Sequence, residues 1–96
     1  YIASVNAIAY TGAKPVFADS LPDTWQLDPE DARRKITSAT RAIMAVHLYG
    51  HPCDMDALRA LAGEHDLFLV EDCAEAFGSL YKGQPVGTFG HISTFS

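Results

Sequence analysis

Short runs of apolar residues recur along the 96-residue chain and are separated by segments in which polar and apolar residues mix. Four of these runs predict β-strands, at residues 15–19, 41–48, 67–72 and 92–95. The runs are nearly continuous rather than alternating, which is typical of strands that are covered on both faces of a parallel sheet. Proline, aspartate and glycine mark a loop and a turn, at residues 21–27 and 81–85.

Three other segments predict helices. Residues 5–11 are a short apolar segment that Gly12 can close. Asp28, Pro29 and the two acidic residues after them are typical of a helix start, and this helix should end near residue 36. A third helix is predicted from Asp54, with a stripe of apolar residues spaced three and four apart, namely Met55, Leu58, Leu61 and Ala62. Strands separated by helices predict an α/β fold, with a mostly parallel sheet and helices on both faces.

Charge and composition narrow the classes of partner. The net charge of −5 argues against nucleic acid and an anionic membrane, because both bind basic surfaces. No apolar stretch approaches the roughly 20 residues that span a bilayer. The basic run at residues 33–35 is interpreted as the solvated last turn of a helix. Cys53 and Cys73 lack the CxxC spacing, so we expect buried, reduced thiols and neither a disulfide nor a metal site.

Two adjacent carboxylates, Glu71 and Asp72, end the apolar run at residues 67–70. Ligands of parallel sheets bind beyond the carboxyl ends of the strands. Because side chains alternate between the faces of a strand, only one of the two carboxylates needs to point into a site. An aspartate placed there can pair with a cationic ring nitrogen, a metal or a substrate hydroxyl. It can also be the N-cap of a following helix.

Three residues with polar rings lie close to Gly50 in the sequence, around the end of the predicted strand at residues 41–48. His47 and His51 could each act as a ligand or a base, and Tyr49 lies between them. No pair of carboxylates at metal-binding spacing accompanies them, which argues against a metal site. His91 is interpreted as a surface or loop residue.

Five segments in one order and spacing resemble the DegT/DnrJ/EryC1/StrS family of sugar aminotransferases, which use pyridoxal phosphate (PLP). These segments are residues 1–8, 12–19, 46–56, 70–78 and 86–96. The resemblance implies that residues 1–96 are a fragment of the PLP-binding major domain of fold-type I (aspartate aminotransferase-like) transferases. It also implies a homodimer in the cytoplasm when the protein is full length.

The resemblance implies four cofactor-binding residues. Asp72 matches the aspartate that pairs with the ring nitrogen, and Tyr1 matches an aromatic residue that stacks on the ring. Ser96 matches a serine that hydrogen-bonds the phosphate. Glu75 should lie near the phenolic oxygen of the cofactor or the incoming sugar, or else complete a helix cap with Asp72. The Schiff-base lysine is expected just after Ser96, so no catalytic residue is expected within the chain.

The implied reaction moves an amino group from glutamate to a nucleotide-linked 4-keto-6-deoxy sugar. Residues 70–78 and 81–96 are most similar to a branch of the family that aminates a GDP-linked sugar for O-antigen-type polysaccharide. A PLP-dependent sugar 3-dehydratase of the same family is an alternative. A non-catalytic binding or regulatory module is the alternative from another class, because a fold does not fix a function.

Overall fold

The computed structural model describes all 96 residues. The chain forms three α-helices, a single 3₁₀ turn at Leu48–Gly50 and five short strands. The helices are α1 (Ile2–Tyr10), α2 (Pro29–Lys35) and α3 (Met55–Glu64). The strands are β1 (Ala42–Val46), β2 (Phe68–Asp72), β3 (Leu80–Tyr81), β4 (Gln84–Pro85) and β5 (Ile92–Thr94).

Three strands make one parallel sheet in the order β1-β2-β5. Its register brings Val46, Asp72 and Thr94 side by side where the three strands end. Since parallel strands are joined by crossovers, this arrangement confirms the predicted α/β fold with a mostly parallel sheet. A ligand-binding site is therefore expected at the carboxyl edge of the sheet.

One face of the sheet is covered by helices. Helix α3 packs on β1 and β2, and α2 packs against α3. The predicted apolar stripe of α3 is buried in this core together with Ile43, Ala45 and Leu69. On the opposite face Phe68 and Ile92 are 64% and 61% exposed. The strands were expected to be covered on both faces, and within this chain α1 reaches the second face through Ser4, which contacts Asp72.

The predicted helix starts are confirmed by their caps. The Asp28 side chain accepts a hydrogen bond from the backbone N–H of Glu30, and Pro29 occupies the first helical position. The Asp54 side chain likewise accepts from the backbone N–H of Ala57. Helix α1 begins three residues earlier than the sequence pattern predicted, and Gly12 follows it with a φ of 84°.

The strand predicted at residues 15–19 is wrong. This segment joins no sheet. The nearest strand-like pairing is an isolated bridge between Ser20, the residue after the segment, and Leu27. A strand needs a hydrogen-bonding neighbour, and Pro15 has no N–H to offer one. Phe17 is exposed accordingly. The turn predicted at residues 81–85 is a two-residue hairpin between β3 and β4.

No helix of this chain combines the length and the apolar character that a membrane span requires.

Candidate active site

Asp72 is the last residue of β2 and lies half-buried at the carboxyl end of the central strand. Its Oδ2 accepts a hydrogen bond from the Ser4 hydroxyl at 2.6 Å, and its Oδ1 accepts from the backbone N–H of Ala74 at 3.1 Å. No helix follows β2, so the N-cap interpretation of Asp72 is wrong. The bond to Ala74 is instead a local turn of the kind that aspartate side chains form with the backbone two residues on.

The Asp72 carboxylate has a charge that nothing in the chain balances. It takes part in none of the ion pairs of the chain. Each of its oxygens accepts one hydrogen bond and has two acceptor sites. A half-buried carboxylate with spare acceptor sites and no partner cation suits a cationic N–H donor. The arrangement therefore fits the protonated ring nitrogen of PLP.

Ser4 was not identified from the sequence. It is the buried residue of α1, an otherwise largely apolar helix. Its partner Asp72 lies 68 positions away in the chain, and no local pattern announces such a contact. Tyr1, three residues before Ser4, is the N-cap residue of α1 and is 86% exposed. The contact of Ser4 with Asp72 thus brings helix α1, which begins just after Tyr1, to the face of the sheet on which Asp72 lies.

Glu75 is exposed, and its Oε2 accepts a hydrogen bond from the backbone N–H of Tyr49 at 2.6 Å. Tyr49 has a φ of 55°, in the left-handed region that bulky residues rarely adopt. The next residue, Gly50, is held from the same segment, since its carbonyl accepts from the Ser79 hydroxyl at 2.7 Å. Glu75 therefore fixes the turn after β1, and the suggested helix cap with Asp72 is not formed.

Ser96 is exposed and lies two residues beyond β5. Strand β5 runs directly beside β2, and its Thr94 pairs with Asp72. The Thr94 carbonyl also accepts from the backbone N–H of Cys73 at 2.9 Å. Of the four predicted cofactor-binding residues, Asp72 ends the central strand and Ser96 follows the neighbouring strand β5. Tyr1 begins the helix that contacts Asp72 through Ser4, and Glu75 is hydrogen-bonded to Tyr49.

Glu71 points to the opposite face from Asp72 and is fully buried, with 0% exposure. Its Oε1 accepts from the backbone N–H groups of Phe89 and Gly90, at 2.7 and 2.6 Å. Its Oε2 accepts from the backbone N–H of Gly87 at 2.7 Å and lies 3.1 Å from His47 Nε2. Burial raises the pKa of the Glu71 carboxyl, but the hydrogen bonds outweigh it and hold the pKa below its usual value.

The partners of His47 fix which of its nitrogens carries the proton. The backbone N–H of Cys53 donates to Nδ1 at 3.0 Å, so Nδ1 is unprotonated. The proton is then on Nε2, which donates to Glu71. A fully buried, neutral histidine with both nitrogens engaged is a structural residue. His51, in contrast, is exposed.

His47, Glu71 and Cys73 place ligand atoms within 4.8 Å of one another. The donor set is nevertheless unsuited to a metal, because Glu71 accepts four hydrogen bonds and His47 Nε2 carries a proton. Burial raises the pKa of the Cys73 thiol to about 11, which keeps it protonated. Cys53 behaves alike, with a pKa of about 11 for the same reason. Both cysteines are buried and free, as predicted.

Comparison with known proteins gives a consistent result. The sequence profile of the DegT/DnrJ/EryC1/StrS aminotransferase family matches residues 1–96. A protein of Escherichia coli O157:H7 named GDP-perosamine synthase is 66% identical over the whole chain, which covers 26% of that protein. A dTDP-3-amino-3,6-dideoxy-alpha-D-galactopyranose transaminase of Aneurinibacillus thermoaerophilus is 46% identical over the same span, again 26% of its length.

Comparison with solved structures gives the same result as comparison of the sequences. An aminotransferase from Psychrobacter cryohalolentis superimposes with a TM-score of 0.97 at 46% identity, over 100% of this chain and 24% of that one. The chain therefore spans about a quarter of the length of the relatives it matches.

Proposed function

Because the chain belongs to the DegT/DnrJ/EryC1/StrS aminotransferase family, we propose that it forms part of the PLP-binding major domain of an enzyme that aminates nucleotide sugars. The enzyme takes the amino group from glutamate and gives it to a GDP-linked 4-keto-6-deoxy sugar. The observation that carries the proposal is the half-buried Asp72 carboxylate, which lies at the end of the central strand without a partner cation.

Asp72 is the partner of the cofactor ring nitrogen. When bound, PLP supplies an electron sink, and its strength depends on a protonated ring nitrogen. A carboxylate beside that nitrogen favours the charged form and so raises its pKa. The Ser4 hydroxyl and the backbone N–H of Ala74 each hold one carboxylate oxygen, which orients Asp72 before the cofactor arrives.

The other three residues would hold other parts of the cofactor. Tyr1, exposed at the start of α1, provides a flat surface for the ring, because an aromatic side chain offers a large area with few torsions to restrict. The Ser96 hydroxyl donates to the phosphate from the end of the strand beside Asp72. Glu75 orients the turn that carries Tyr49 and faces the phenolic oxygen or the sugar from there.

The GDP-linked substrate is the finer part of the proposal. It is supported by the 66% identity to a protein named GDP-perosamine synthase, which exceeds the 46% identity to a dTDP-sugar transaminase. Sites that hydrogen-bond sugar hydroxyls discriminate by about 10⁴-fold, so a few residues decide the substrate. The chain matches about a quarter of the relatives' length, and we place most of those residues, together with the contacts of a homodimer, outside its 96 residues.

The test uses the full-length protein with its cofactor. Addition of glutamate should shift the absorbance band of the cofactor, and amination of GDP-, dTDP- and UDP-linked 4-keto-6-deoxy sugars is then compared. The proposal expects the GDP sugar to react fastest. If a dTDP or UDP sugar reacts while the GDP sugar is inert, the substrate assignment is wrong and the aminotransferase survives. If glutamate leaves the band unchanged and no sugar is aminated, the enzyme assignment is wrong as well.

A further inference from the structure

The buried Glu71 carboxylate connects all three strands of the sheet at the end where Asp72 lies. Glu71 itself stands on β2, and His47, which donates to it, follows β1 directly. Its other three donors are backbone N–H groups of residues 87–90, the loop that leads into β5. These four donors fill the four acceptor sites of an ionised carboxylate.

The loop at residues 87–90 packs closely against neighbouring residues at both of its ends. Gly87 has a φ of 86°, and a Cβ added there would lie 2.5 Å from Cζ of Phe95. A Cβ added to Gly90 would lie 2.7 Å from the carbonyl oxygen of Leu69. The positive φ favours glycine at position 87, and the backbone of β2 leaves no room for a side chain at position 90. In this position three N–H groups of the loop converge on Glu71.

The loop leads directly into β5, so its position is coupled to the position of that strand. His91, the next residue, makes two hydrogen bonds with Leu69 of β2. Its backbone N–H donates to the Leu69 carbonyl at 2.8 Å, and its Nδ1 accepts from the Leu69 N–H at 3.0 Å. Strand β5 then pairs with β2 in the register that places Thr94 beside Asp72. Ser96 follows two residues later. A shift of the loop would therefore move Ser96 relative to Asp72.

We propose that Glu71 is a positioning residue for the phosphate end of the cofactor, because its carboxylate holds the 87–90 loop and thereby the place of Ser96. The inference rests on the proposed function, in which Ser96 binds the phosphate. It assigns the two neighbouring carboxylates to the two ends of one ligand: Asp72 acts on the ring, and Glu71 acts through the loop on the phosphate.

The test is a pair of titrations on the full-length protein after the cofactor has been removed. Binding of PLP and of pyridoxal, which lacks the phosphate, is measured by absorbance for the wild type, Glu71→Gln and Glu30→Gln. Glu30 is an exposed glutamate of α2, so its variant is a control for the same chemical change. Glutamine at position 71 keeps the shape but turns an NH₂ group toward two of the four donors.

For Glu71→Gln we expect the Kd of PLP to rise at least tenfold while the Kd of pyridoxal changes less than threefold. Amide hydrogen exchange of residues 87–90 should accelerate in the same variant. Glu30→Gln should match the wild type in all three measurements. Equal rises of both Kd values would mean general destabilisation and would overturn the proposal, as would unchanged exchange of the loop amides.

Two further outcomes are informative. If Glu71→Gln does not fold, Glu71→Asp is used, because it keeps the charge but withdraws the carboxylate by about 1.5 Å. It should raise the PLP-to-pyridoxal Kd ratio less than tenfold but above the ratio of the control, and a ratio equal to the control contradicts the proposal. If the wild type binds neither compound, the proposed function fails, and the hydrogen exchange measurement alone decides whether Glu71 holds the loop.

Discussion

Glu71 and Asp72 are adjacent carboxylates at the end of β2, yet one is fully buried with four hydrogen-bond donors and the other is half-buried with two. The alternation of side chains along a strand separates them onto opposite faces. On the buried face, groups of the chain itself fill every acceptor site of the Glu71 carboxylate. The other face leaves acceptor sites and an unbalanced charge, which is the condition for binding a cation from outside.

A buried charge and a functional charge can be told apart by their partners. Groups of the chain itself occupy all acceptor sites of Glu71, so Glu71 can affect ligand binding only through the groups that it holds in place. Asp72 is oriented by Ser4 and Ala74 and still has sites to offer. Variants of the two residues should therefore fail in different measurements.

The largest expected effect is on stability, at Glu71. In Glu71→Gln, the amide NH₂ faces two N–H donors that lose their acceptor, and each stranded donor costs about 1–3 kcal/mol. The free energy of unfolding of the full-length protein should therefore fall by about 2–6 kcal/mol. Denaturant unfolding measures this, with Glu30→Gln as the control. A loss below about 1 kcal/mol would contradict the hydrogen-bond network around Glu71.

The next effect is on activity, at Asp72. Replacement by asparagine keeps the shape and the bond to Ser4 or Ala74, so Asp72→Asn should fold with nearly unchanged stability. Loss of the charge-assisted bond to the ring nitrogen costs about 1.5–3 kcal/mol, which corresponds to a roughly 10- to 150-fold lower kcat/KM. Steady-state amination of the sugar measures it. Unchanged turnover would remove Asp72 from the site.

The smallest effect is on the pH dependence of stability, at Glu71. The pKa of Glu71 is lower in the folded state than its usual value of 4.5. Its contribution to stability is thus complete above about pH 4.5 and is lost as the pH falls through the folded pKa. Glu71→Gln should lose stability less steeply below pH 4.5 than the wild type does. Identical slopes in urea unfolding at pH 3–6 would show that Glu71 does not titrate in this way.

The features of the fold and of the site that depend on local pattern were predictable from the sequence. The cap at Asp28, the apolar stripe of α3 and the strand that ends in Glu71 and Asp72 follow from spacings of a few residues, and the structure confirms them. The alternation of the strand also predicted that only one of the two carboxylates would face a site.

Long-range contacts were not predictable in the same way. The strand expected at residues 15–19 lacks a neighbour, and apolar character alone does not supply one. The contact of Ser4 with Asp72 and the convergence of the 87–90 loop on Glu71 join residues 68 and 16–19 positions apart. Such contacts depend on how the elements pack, which the order of residues does not display.

The protonation state of the cofactor ring nitrogen is the most direct test of the separate roles of Asp72 and Glu71. It can be read by ¹⁵N NMR on the full-length protein loaded with PLP that carries ¹⁵N in the ring. We expect a protonated nitrogen in the wild type and in Glu71→Gln, and a deprotonated nitrogen in Asp72→Asn, because Asp72 is the carboxylate proposed to pair with the ring nitrogen. A nitrogen that stays protonated in Asp72→Asn, or that loses its proton in Glu71→Gln, would contradict the division of roles between the two carboxylates.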